Sequence, residues 1–75
     1  MTYVESRNVR LTGEIEQYSF DRSVTVTAWT ASLDEAPLFP RTEGHVSLSR
    51  SADTAQGALN LLRDAVEEQG WEWRN

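Results

Sequence analysis

The first clear pattern begins at Val9, where Val9, Leu11, Gly13 and Ile15 alternate with Arg10, Thr12, Glu14 and Glu16. Period-two alternation sets an apolar face against a polar one and predicts a half-buried strand. The phase then changes, because Tyr18 and Phe20 continue on even positions. A bulge is therefore expected at Gly13 or at the Glu16-Gln17 step. Phe20-Asp21-Arg22-Ser23 reads as a hairpin turn in which Asp21 can bond its own backbone.

The run from Ser23 to Ala31 is the strongest strand signal, β-branched at Val24, Thr25, Val26 and Thr27 and free of Gly and Pro. Val24, Val26 and Ala28 share one face, and Thr25, Thr27 and Trp29 the other. Positions 34–42 hold Pro37 and Pro40 around Leu38-Phe39 and read as a proline-containing loop with an apolar tip. A third strand is expected near 43–49, with Val46 and Leu48 inward and His45 and Ser47 opposite. The period then becomes helical. Asp53-Thr54-Ala55-Gln56 has the form of a capping box, with Asp53 as the N-cap. Ala55, Ala58, Leu59, Leu62, Ala65 and Val66 make one apolar stripe, and Asn60, Arg63, Asp64, Glu67 and Glu68 lie outside it. Ala55, Leu59, Leu62 and Val66 are expected to pack on the Val24/Val26 face. Gly70 supplies the stop, and Trp71-Glu72-Trp73 is long enough for a short edge strand. The pattern predicts a single α+β domain over 1–75: a small antiparallel sheet of three to four strands with one helix on one face.

Length tightens this reading. A chain of 75 residues buries only about 60–65% of its unfolded surface, so its one core has little margin. With no cysteine, disulfides, thiolate nucleophiles and Cys-based zinc sites are excluded. Apolar runs never exceed two residues, which predicts no transmembrane span and makes a soluble cytoplasmic protein the default. Twelve acids against seven bases, all Arg, give a net charge of −5. That balance disfavours general affinity for phosphate backbones or anionic membranes.

Candidate chemistry is sparse. His45 is the only histidine and stands beside Ser47 and Ser49 with Asp53 further on, but a triad needs an enclosed oxyanion site that so small a domain seldom builds. Asp34, Glu35 and Glu43 lack the spacing of a calcium loop. Glu14 and Glu16 share a strand face, where two acids are ordinarily just polar. The four glycines are scattered and form no phosphate loop. No cofactor or metal is implied, and an enzyme is disfavoured. Arg7, Arg10 and Arg50 could serve a nucleic-acid-associated accessory protein, the alternative reading, with Tyr18, Phe20 and Trp29 nearby to stack bases.

Three tryptophans in a domain with a half-covered sheet point elsewhere. Both faces of the second strand cannot meet one helix, so some of Trp29, Trp71 and Trp73 are expected on the uncovered face or at an edge. Leu38 and Phe39 add an apolar knob. Exposed aromatic surface usually marks a protein interface, here Trp29, Leu38, Phe39, Trp71 and Trp73. The competing reading is that the tryptophans complete the core. A short edge strand and an open sheet face also favour a two-fold homodimer.

Three strands, a helix opening Asp53-Thr54-Ala55-Gln56-Gly57-Ala58-Leu59 and a last short strand resemble the N-terminal domain of HicB-type antitoxins over roughly 24–73. That resemblance implies a reduced ribonuclease-H-like fold without its catalytic acids, which binds toxins and oligomerises through sheet surfaces. The expected function is a non-catalytic protein-binding module: a small regulator, inhibitor or antitoxin-like protein from a mobile or phage-type gene.

Overall fold

The chain begins with a strand the pattern did not signal, β1 (Tyr3–Glu5), followed by a 3-10 turn over Ser6–Asn8 and the long β2 (Val9–Tyr18). β3 (Val24–Pro37), a 3-10 turn over Arg41–Glu43, β4 (His45–Ala52), α1 (Ala55–Glu68) and β5 (Glu72–Arg74) complete the order. The structure is a computed structural model that describes residues 1–18 and 24–75. The expected turn at Phe20-Asp21-Arg22-Ser23 lies outside the described residues. The α+β architecture is as expected: an antiparallel sheet ordered β2-β3-β4, one helix against it, and a further strand.

Register explains how the pieces join. β2 pairs with β3 from Val9↔Leu33 to Tyr18↔Val24. The pairing slips between Glu14 and Gln17, leaving Glu16 on β2 and Thr27 on β3 without a partner. This is the phase change seen in the sequence, at the second of its two allowed places. Tyr3 pairs with Phe39 as far from Val9↔Leu33 along one strand as along the other, so β1 lies in line with β2 across the 3-10 turn. On its other side β1 pairs with β5 in parallel, Val4 opposite Trp73. β4 and β5 therefore run the same way, and α1 crosses between them over the sheet. Along its length the sheet thins from four strands near Tyr3 to three in the middle. It is two strands wide beyond Trp29↔Ala52, where β4 ends.

A second irregularity sets the core. Between Leu33 and Ala36 β3 carries one residue more than β4, with Glu35 at φ 47° and its N–H donating to Ser47 Oγ at 3.1 Å. The extra residue switches the inward parity, so Ala31 and Leu33 are followed inward by Ala36 and Leu38. Two expectations are corrected here. Residues 34–37 are strand, not loop, and Leu38 is core, only 5% exposed. The helix also packs further along β3 than the expected Val24/Val26 stretch. The helix meets β3 where β4 flanks it, and the buried residues there, Ala31 and Leu33, share their face with Trp29.

Ala58, Leu62, Ala65 and Val66 are buried from α1, with Ala55 and Leu59 half-buried beside them. Ala58, Leu62 and Val66 join Val4, Leu33, Leu38 and Val46 in one core cluster, with Leu59 packed against it. The N-cap is Thr54 rather than Asp53. Thr54 Oγ1 accepts from Gly57 N–H at 2.9 Å, while Gln56 donates to Asn60 instead of reaching back. A Cβ on Gly57 would sit 2.9 Å from Thr54 Oγ1 and 3.1 Å from the Ala52 Cβ, so the first helical turn can press on β4 only without a side chain there. Gly70, at φ 83°, ends the helix as expected.

Candidate interaction surface

The expected interface residues separate into core and rim. Trp29, Trp71 and Trp73 are all half-buried and pack against the core cluster. Trp29 is on the helix-side face of β3, in phase with Ala31 and Leu33, not on the uncovered one. Trp73 stands opposite the fully buried Val4 and so points to the helix. Phe39 is half-buried and stacks on Tyr3, ring centroids 5.1 Å apart, and the Arg74 guanidinium lies 3.9 Å over the far partner of that stack, the Tyr3 ring. Phe39 just past β3, Tyr3 of β1 and Arg74 of β5 thus form a ladder that ties β5 to β1 and to the segment after β3. The hydrogen bond to Glu72 at 3.2 Å raises the Arg74 pKa above its already high value, so the cation is permanent.

The uncovered face is hydroxyl-rich instead of aromatic. Arg10 faces Ser32, Thr12 faces Thr30, and Ser32 faces Ser49. Thr30 and Ser51 share a hydrogen bond of 2.8 Å across β3 and β4. A shallow groove of about 280 Å³ runs between Ser32, Asp34, Ser47 and Ser49 on this side.

The three arginines do not form one basic patch. Arg10 is opposite Ser32 and Arg50 opposite Ala31, successive residues of β3, so the two lie on opposite faces of the sheet. Arg7 is on the 3-10 turn, ion-paired with Glu5 at 3.0 Å. His45 is exposed at the start of β4, and the Ser47 hydroxyl beside it accepts from Glu35 N–H. Among the described residues no three metal-ligating side chains converge, and no polar or charged residue is buried.

Two surfaces remain, and of their residues the sequence singled out Trp73 of the short edge strand. The first is the β2–β3 ribbon. From Ala28 to Val24 β3 has no neighbour but β2 among the described residues. The Cα radius of gyration is 14.7 Å, against about 11 Å for a compact chain of this length. The second is a cleft of about 320 Å³ between α1 and β5, lined by Gln56, Leu59, Asn60 and Arg63 of the helix, by Trp73 and Asn75, and by Ser6 of the 3-10 turn. Helical spacing could have placed Gln56, Asn60 and Arg63 on one flank; nothing local could have brought β5 beside them. No described helix is long and apolar enough to cross a membrane. Compared with family models, with curated proteins and with solved structures, the chain matches none.

Proposed function

We propose that this protein is a non-catalytic protein-binding module that works as a homodimer, joined through the β2–β3 ribbon. The observation that carries this reading is the length of ribbon beyond Trp29↔Ala52, where the backbone edge of β3 has lost β4 as a neighbour. A two-stranded ribbon is marginal alone in water, and an unpaired edge is a template for another strand. The segment Val24-Thr25-Val26-Thr27-Ala28 carries no charge and no proline. A second copy can therefore approach it without like charges meeting, despite the net charge of −5. Two-fold pairing is the simplest closed solution.

Within this class the order of elements favours a small cytoplasmic regulator or inhibitor, antitoxin-like and from a mobile or phage-type gene. Three antiparallel strands, a crossover helix and a last strand parallel to the first support the HicB-like reading of the sequence. The scattered arginines give the nucleic-acid alternative no such support.

Sedimentation equilibrium at micromolar concentration tests the dimer. The proposal requires a species of twice the 8.5 kDa chain mass. It also requires its loss when residues 15–27 are replaced by Asn-Gly, a two-residue turn suited to the Glu14↔Ala28 pair. A wild-type protein that stays at 8.5 kDa contradicts it.

A further inference from the structure

We infer that the cleft between α1 and β5 binds an extended, acidic peptide segment of a partner protein, added as a strand to the open edge of β5. This surface lies apart from the ribbon and goes beyond the dimer. Three features of the cleft converge on such an occupant.

The first is backbone. Glu72 N–H donates to Thr2 C=O at 2.9 Å, so Glu72 and Arg74 turn their main-chain groups toward β1. Alternation along a strand then turns the N–H and C=O of Trp73 to the other side, where β5 has no neighbouring strand among the described residues. An added strand supplies the missing partners, the mode by which extended peptides join exposed sheet edges.

The second is shape. The open edge of β5 lies beside a helix flank, and Trp73 and Leu59, both half-buried, are the apolar walls between them. A volume of about 320 Å³ is at the small end of binding pockets, room for one large apolar side chain of a peptide whose backbone runs along the edge. Around these walls stand the amides of Gln56 and Asn60 and the Ser6 hydroxyl, groups that both donate to and accept from peptide units.

The third is charge. The chain has twelve acids, yet no acidic side chain lines the cleft, and its one charged lining side chain is the Arg63 guanidinium. Glu67 occupies Arg63 Nε at 3.1 Å, an exposed pair that leaves the two terminal nitrogens to bind a carboxylate. An acidic flank on the peptide fits that arrangement, and a basic flank meets the Arg63 cation at close range.

Nitrogen-labelled protein titrated with three synthetic probes tests the inference. They are Ac-Asp-Val-Phe-Val-Asp-NH2, its counterpart with Arg at both ends, and the acidic probe with its second valine replaced by proline. The acidic probe should shift the Trp73 amide and the Trp73 indole Nε1–H, saturating with a Kd of about 0.1–1 mM. The basic and proline probes should bind about threefold to tenfold more weakly, and Arg63→Glu, an exposed substitution, should reverse the preference between acidic and basic probes. No shift at Trp73 up to millimolar acidic probe overturns the inference. So do equal responses to acidic and basic probes, undiminished binding of the proline probe, or a Trp73 shift produced by dilution alone, which would place a second copy in the cleft. None of these readouts depends on the sedimented mass, so failure here and failure of the dimer are distinguishable.

Discussion

The two ends of this molecule are built from the same strands and differ in what covers them. At the Tyr3 end, β3 lies between β4 and β1, β1 between β3 and β5, and α1 crosses over them, with Val4, Leu33, Leu62 and Val66 fully buried. At the ribbon end β2 and β3 have only each other among the described residues. The chain places its one helix on one end because a 14-residue helix is about 21 Å long, shorter than β2 and β3 together can extend. A helix of that length covers one part of the sheet and leaves the rest of it without a helix.

The comparison is broken most strongly from the covered end. Leu62 is fully buried beneath the helix. Leu62→Ala should cost about 2–5 kcal/mol, enough to unfold much of the population in thermal or urea melts. A melt unchanged within a degree or two would mean that the helix stripe is not what holds this end. Next come the two residues that seat the helix start. Thr54→Ala removes the side-chain cap and should cost about 1 kcal/mol. Gly57→Ala should also destabilise by about 1 kcal/mol, the overpacking against Thr54 and Ala52 outweighing the better helix propensity of alanine. If the Gly57→Ala protein is instead more stable than wild type, the first turn has room to lift off β4.

From the ribbon end, replacing residues 15–27 by Asn-Gly should change the stability of the isolated chain by less than about 1 kcal/mol, since the core cluster lies outside that stretch among the described residues. A collapse of stability would show that the ribbon is part of the folding unit. Smallest of all is Arg7→Ala. Its ion pair with Glu5 is exposed at Arg7, and a shift of no more than about 0.5 kcal/mol is expected from urea titration.

What the sequence disclosed follows the same division. The helix stripe, Gly70 and the alternation of β2 were legible because each is a local period or a local backbone preference. The bulge near Glu16 was legible as a change of phase. The proline loop was misread because Pro37 ends an edge of β3 that a single extra residue at Asp34-Glu35 turns inward, and a one-residue slip leaves no composition signal. β1 was missed because three residues cannot display a period. Its strand character comes from Phe39 on one side and Glu72 on the other, contacts some 36 and 69 positions away in the chain. The cleft was invisible for the same reason. The tryptophans were rightly singled out as large apolar groups in a small chain, but their sidedness depends on register that only pairing reveals.

The claim that one end is covered by its own helix and the other by a second copy is tested most directly by residue-resolved amide hydrogen exchange at two protein concentrations, above and below the dimer dissociation constant. Core amides such as those of Ala31 and Leu62 should keep the same protection at both, because their cover is intramolecular. Amides of Val24, Thr25 and Val26 should be protected in the concentrated sample and lose that protection on dilution. Ribbon amides whose exchange is the same at both concentrations would contradict the account.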